Sequence, residues 1–413
     1  MKFHWFHLMP YSDLPDDFRE QHRSVWVDVD PKLYDPVKGH RMYNEYLDEL
    51  EFASQCGFDG ICVNEHHSNA YGLMPSPNLI AAALARRTED TKLVLMGNSV
   101  ALYNPPIRVA EEFAMLDGIS GGRLVAGFPV GTPMDTNYCY GQTPATLREK
   151  YREGVELILR AWKATEPFAF NGKYTQIRYV NPWPKPLQQP HPPVWIPGGG
   201  SVETWEWCLR NDFLYAYLSY FGYKAGRRVM EGYWETADRL GVARNPYRAG
   251  FLQFVGVADS DAHAEELYAE AALYFYNRCL HLYPGFAAPP GYTSLETIRQ
   301  GIVGQVERAA AASADLTWQQ IVDRGYVIAG SPQTVIDRLH EVADTMNVGH
   351  LMLLLQFGNL SRETTYENTE RFATEVMPKL RDRFDQWDDN WWPTQSLAEP
   401  ARPAPLGRAR DAR

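Results

Sequence analysis

GFDGICVNEHHSNAYG, residues 57–72, passes from apolar to polar half-way along its length. The first half, GFDGICV, reads as a short strand buried on both faces, the pattern of a parallel sheet. Glu65, His66 and His67 then fall where that strand opens into a loop. In parallel α/β proteins, this end of a strand carries the chemistry. The cluster is a metal site, an acid/base site or a polar structural corner, and the rest of the chain has to decide.

Seven further apolar runs of the same kind lie around it: FHWFHLM (3–9), KLVLMGN (92–98), RLVAGF (123–128), PVWIPG (193–198), FLYAYLS (213–219), GFLQFVGVA (250–258) and HLMLLLQF (350–357). With GICVN (60–64) they make eight candidate strands. Amphipathic stretches at 44–56, 76–88, 106–120, 146–164, 202–210, 226–241 and 331–346 separate them. Apolar strands alternating with amphipathic helices predict a parallel sheet covered by helices. Eight such units in 413 residues favour a (β/α)8 TIM barrel over a doubly wound sheet.

The barrel is expected over residues 1–395, with the alternation broken at about 9–42, 170–193 and 279–330. The second break contains an Asn-Gly turn between two strand-like runs. The third has a Tyr/Pro/Gly-rich start and an alanine-rich helix. Loops this long are commonly functional, and at least one is expected to act as a lid. The Ala/Pro/Arg-rich tail, 396–413, lacks periodicity and is expected to be disordered.

A net charge of −11 offers no basic footprint for nucleic acid. No run approaches the ~18 apolar residues that span a bilayer, so no membrane partner is expected. The five cysteines include no CxxC pair and the N-terminus has no secretory pattern, which points to a reducing cytoplasm. Twelve Trp, 24 Tyr and 18 Phe suit either a large apolar pocket or a closely packed core.

A barrel gathers its strand ends into one mouth. The second strand brings Asn64, Glu65, His66 and His67; the third Gly97, Asn98 and Ser99; the fourth Phe128 to Gly131; the fifth Gly198, Gly199, Gly200 and Ser201. Adjacent histidines on extended backbone face opposite ways, and no other group shows ligand spacing, so no metal is expected. A histidine acting as general acid/base is the better functional reading, against the alternative that both only satisfy buried polar groups. GGGSVET (198–204) leads from a strand into a helix, where backbone N–H groups and the Ser201 and Thr204 hydroxyls suit a phosphate, unless the glycines make only a tight turn. Gly97, without a side chain, lets backbone pass close to a flat ligand, or is a plain turn.

Five segments together resemble the bacterial luciferase-like family of flavin-dependent oxidoreductases. They are GFDGICVNEHH (57–67), NPPIRVAEEFAMLDGISGGRLVAGFPVG (104–131), PVWIPGGGSVETWEWC (193–208), AGSPQTVIDRL (329–339) and FATEVMPKL (372–380). The resemblance implies a (β/α)8 barrel with insertions and places His66 beside a flavin ring. Ser201 and Thr204 fall on family positions that bind the flavin phosphate. Gly97, Asn98 and Ser99 fall where the family often has a strained, sometimes cis, peptide under the isoalloxazine. Val130, Gly131, Tyr138, Gly199 and Gly200 complete the expected cofactor contacts.

Two departures matter. Val130 stands where luciferase has a phosphate-binding arginine, which leaves the cationic partner of the phosphate unidentified. Pro129 stands at its reactive cysteine, which argues against light emission. The implied activity is that of a two-component monooxygenase. It would use reduced FMN from a separate NAD(P)H:flavin reductase, and O2, to oxidise a small apolar or aromatic substrate through a C4a-peroxyflavin. His66 would tune protonation, with His67 and Glu65 supporting it, Glu65 by orienting a histidine or capping the loop.

Tyr138, Tyr140, Tyr220, Tyr223, Tyr283 and Phe286 are expected near the mouth, as pocket walls or as ordinary packing. One alternative is a deazaflavin (F420)-dependent hydride-transfer enzyme on the same scaffold. Another is a non-catalytic subunit, against which the retained Glu-His-His weighs. A homodimer packed through barrel helices, the 106–120 helix among them, is also implied.

Overall fold

Continuous burial is what the apolar runs share, and it follows from closure. In the computed structural model, which describes residues 1–299, 315–394 and 396–397, every residue of β2 (Gly60–Val63), β4 (Leu124–Gly127), β8 (Leu214–Tyr217), β9 (Ala249–Val257) and β11 (His350–Leu354) is buried. With β1 (Lys2–Phe6), β3 (Lys92–Leu95) and β7 (Val194–Gly198) they form a parallel barrel of order β1-β2-β3-β4-β7-β8-β9-β11. The β1–β11 and β8–β9 pairings close it. β5 (Phe168–Asn171) and β6 (Gln176–Val180) make the antiparallel hairpin expected around the Asn-Gly turn.

Three features differ from the expectation. A ninth strand of the sheet, β10 (Val327–Gly330), pairs with the second half of β9 and lies inside the segment read as the third insertion. It ends on Gly330 and is followed at once by Ser331 and Pro332, so it reads as part of a turn rather than as an apolar run. The helix Asp261–Tyr274 also escaped the periodicity reading, because three of its five buried positions are alanines. The first insertion ends early: Asp35 caps the helix Pro36–Gln55, accepting from Val37 N and Lys38 N. The alanine-rich helix and the tail beyond Leu397 lie outside the described residues. No helix among those described is long and apolar enough to cross a membrane.

The end of the barrel opposite the mouth is filled by aromatic and imidazole rings. His4 Nε2 meets His350 Nδ1 at 3.0 Å, both rings fully buried, with Trp195 and Trp392 packed against them. Burial, then the neighbouring His350, holds His4 well below the usual histidine pKa, so it is neutral in the folded chain. An unfolded histidine titrates near ~6.5, and the unfolded state therefore binds the extra proton below that pH. Stability from His4 is full above pH ~6.5 and is lost on acidification by ~1.4 kcal/mol per unit. Urea unfolding between pH 7.5 and 5 is expected to show this slope, reduced by about that amount in His4→Asn.

Candidate active site

The loops after β2 and β4 meet above the barrel. His66 Nδ1 lies 2.9 Å from Asp135 Oδ2, across 69 residues of chain. Asp135 sits in a short π-type helix, Met134–Cys139, where β4 gives way to its loop. Thr132 Oγ1 donates to the same carboxylate oxygen at 2.9 Å. The other oxygen accepts the Trp26 indole N–H at 2.9 Å and the His67 peptide N–H at 2.8 Å. Trp26 comes from the first insertion and stacks on Tyr71, and both rings meet His66 edge-on, at 4.8 and 4.9 Å. His66 is thus held by one carboxylate and two aromatic rings.

His67 turns the other way, as extended backbone requires. Its Nε2 pairs with Glu65 Oε1 at 2.7 Å, while Nδ1 meets Tyr140 OH at 3.3 Å. Glu65 Oε2 accepts the Ser99 peptide N–H at 2.9 Å and groups from Asn98 and Tyr103. One buried carboxylate therefore ties the second strand's histidine to the third strand's loop. Burial, then the Glu65 charge, pushes the Tyr103 hydroxyl well above its usual pKa and keeps it protonated as a donor.

That loop begins with a cis peptide, Met96–Gly97. A Cβ on Gly97 would lie 1.9 Å from Gly127 O, so only glycine lets β3 and β4 approach here. Asn64 Oδ1 and Asn98 Oδ1 are buried and have no hydrogen-bond partner among the described residues. A flat ligand with polar edges would supply partners for them.

The glycine turn after β7 behaves less simply than its sequence suggests. Gly200, at φ +101°, donates its N–H to Tyr215 OH at 3.1 Å. Thr204 is buried in the first turn of the helix Val202–Arg210. The Ser201 hydroxyl is engaged by Glu203 Oε2 at 2.7 Å rather than free, and Thr297 Oγ1 of the third insertion meets the same oxygen at 3.1 Å. Burial pushes the Glu203 carboxyl up, but hydroxyls of Ser294 and Ser201, its own peptide N–H and the Arg148 charge bring it below the usual range.

Arg148, on the helix Pro144–Lys163, has a buried Nε without a partner among the described residues. It was not singled out in the sequence, being one charge among many on an amphipathic helix. Val130 is half-buried and neutral; Gly131, at φ +91°, packs against Ser99, and its carbonyl accepts from Tyr292 OH at 2.6 Å. Tyr138 is 44% exposed and gives its ring to Phe286 and its hydroxyl to Gly285 O at 3.3 Å. Through Tyr292, Thr297, Gly285 and Phe286, the described part of the third insertion lies against both the β4 loop and the glycine turn. An open groove of about 960 Å³ runs along the helix Pro144–Lys163 to Phe168 and Trp207 and takes in none of the candidate site residues.

The profile of the luciferase-like monooxygenases matches residues 27–347. The chain belongs to that family. It is 27% identical over 361 residues to the oxygenase component of the flavin-dependent trigonelline monooxygenase of Acinetobacter baylyi, covering 86% of this chain and 94% of that one. Among solved structures it resembles the oxygenating constituent of 3,6-diketocamphane monooxygenase of Pseudomonas putida in complex with FMN. That likeness has a TM-score of 0.67 and 22% identity, over 92% of this chain and 98% of the other. It also resembles an F420-dependent secondary alcohol dehydrogenase, with a TM-score of 0.61 and 16% identity over 92% and 99% of the two chains. At these identities the solved structures speak for the fold, a parallel barrel shared within the family.

Sequence reasoning had reached Glu65, His66, His67, Gly97, Asn98, Ser99, Ser201 and Thr204. It had not reached Asp135, Trp26 or Arg148. An acidic residue soon after the fourth strand was the available signal for Asp135. Nothing local marked Trp26.

Proposed function

We propose that the chain is an oxygenase that binds reduced FMN at the barrel mouth and uses O2 to oxidise a small apolar or aromatic substrate. The observation that carries this reading is the pair of histidine–carboxylate contacts, His66–Asp135 and His67–Glu65, set around the glycine contact of β3 and β4. Reduced flavin supplies the two electrons with which one oxygen atom enters the substrate and the other leaves as water. The chain's own groups bind, orient and manage protons. Gly97 admits the ring, Asn64 and Asn98 offer their unpartnered oxygens to its polar edge, and His66 holds or moves a proton at Nε2.

Ser201, Thr204 and Arg148 would hold the phosphate, with Arg148 taking the role that Val130 cannot. Trp26, Tyr71 and Tyr220 would wall the substrate and keep water out. A separate NAD(P)H:flavin reductase would supply the cofactor. A second copy of the chain would pack on the exposed Leu79, Met115 and Ile119 of two adjoining helices.

Anaerobic titration with photoreduced FMN and with reduced deazaflavin, followed by an oxygen pulse, tests the reading. Tight FMN binding and an oxygen-dependent absorbance transient are expected. Preference for deazaflavin with no such transient would move the chain to hydride transfer; one structure of the same fold is that of an F420-dependent secondary alcohol dehydrogenase. Arg148→Ala is expected to weaken reduced FMN about 10- to 100-fold, the worth of a charge-assisted hydrogen bond. Binding of riboflavin, which lacks the phosphate, is expected to change little. Equal losses for both ligands would place Arg148 outside the phosphate site.

A further inference from the structure

Asp135 has both carboxylate oxygens fully engaged. It is 1% exposed, and each of its oxygens has two partners. Oδ1 takes the Trp26 indole N–H and the His67 peptide N–H, at 2.9 and 2.8 Å. Both groups can only donate, so Oδ1 carries no proton. Oδ2 faces Thr132 Oγ1 and His66 Nδ1, each at 2.9 Å. The Thr132 hydroxyl already accepts the Asp135 peptide N–H at 3.3 Å, which leaves its hydrogen free for Oδ2. Burial raises the Asp135 carboxyl, but its contact with His66, the His67 N–H and the Trp26 indole bring it below its usual range. The group is a carboxylate, and His66 Nδ1 must be the donor.

We propose that Asp135 is the positioning residue of this site, locking His66 in the Nδ1–H tautomer so that Nε2 alone accepts or delivers a proton at the mouth. Nε2 has no hydrogen-bond partner among the described residues, and the side chain stays partly exposed. The same carboxylate joins Trp26 of the first insertion, the His66–His67 loop and the Thr132 loop. Its removal therefore changes where a proton sits, as well as how segments are held. The catalytic half of the inference rests on the proposed role of His66; the tautomer does not.

Asp135→Asn separates the two halves. The amide oxygen has to stay against the Trp26 and His67 N–H groups, since an NH2 there would face two donors. The amide NH2 then faces His66 Nδ1 and the Thr132 hydroxyl oxygen, both of which can accept. The imidazole proton is driven to Nε2. Two-bond 1H–15N spectra of the full chain labelled at histidine, with His66 assigned by its loss in His66→Gln, read the tautomer directly.

The wild type is expected to show Nδ1–H, D135N Nε2–H, and Trp26→Phe, which loosens the same carboxylate without inverting it, Nδ1–H. In D135N, kcat is expected to fall by at least about 100-fold, against the ~10⁴-fold loss known when a catalytic histidine is held in the wrong tautomer. Its Kd for reduced FMN is expected to stay within about three-fold, as for a loss confined to the transition state. A wild-type Nε2–H signal, or a D135N spectrum unchanged from wild type, overturns the lock. If D135N does not fold, the wild-type spectrum alone decides. A switched tautomer with unchanged kcat keeps the lock and removes the proton-handling role of His66.

Discussion

His66→Ala is expected to lower kcat by about 10²- to 10⁴-fold, the usual contribution of a positioned acid/base group, while the Kd for reduced FMN changes far less. The expectation rests on what surrounds the ring. Trp26 and Tyr71 present edges or faces to it, Asp135 fixes one nitrogen, and the other has no partner among the described residues.

The alanine also strips Asp135 of one donor, so some stability will be lost, on the order of 1–3 kcal/mol. His66→Gln provides the control, since its amide can still donate to Asp135 without offering a titratable nitrogen. Steady-state oxygen consumption with reduced FMN, paired with anaerobic flavin titration, separates kcat from binding. A His66→Gln enzyme with near-normal kcat would show that the ring has no proton to manage.

Gly97→Ala is expected to cost at least ~3 kcal/mol of stability, or to prevent folding, because the clash is with backbone and nothing flexible can yield. The added carbon would sit 1.9 Å from Gly127 O, 2.5 Å from Gly127 C and 2.7 Å from Leu95 O. Relief would require β3 and β4 to part next to their registered pairs Leu93–Leu124 and Leu95–Ala126. The same movement would pull Ser99 N–H from Glu65 and loosen His67 with it. Gly118→Ala is the comparison. It lies in the helix Ile107–Ile119, a Cβ there meets nothing within 4 Å, and the change is expected to be neutral or to add about 0.5–1 kcal/mol. Denaturant unfolding of both variants, with flavin binding where the chain folds, distinguishes a packing constraint from a general intolerance of glycine replacement.

The barrel was legible in the sequence because its strands are buried along all or nearly all of their length, and an apolar run reports that. β10 was not, because its residues run directly into Gly330, Ser331 and Pro332 at the end of a long insertion and read there as part of a turn. Glu65, His66 and His67 could be found because a polar cluster directly follows an apolar run. Ser201 and Thr204 could be found because glycines precede a helix, but that the Ser201 hydroxyl is engaged by Glu203 could not. Asp135 and Arg148 look like ordinary charges on their elements, and Trp26 like one more aromatic in a long loop.

Taken by itself, the sequence determined that apolar strands alternate with amphipathic helices and that an imidazole pair stands at a strand end, since burial and local geometry follow from neighbours in the chain. Only the tertiary structure decided which carboxylate each histidine meets. Asp135 lies 69 residues from His66 and 109 from Trp26, and the position of a proton depends on groups a hydrogen bond away in space. Periodicity reports which face a residue turns to the core; it carries no information about which loop waits on the other side.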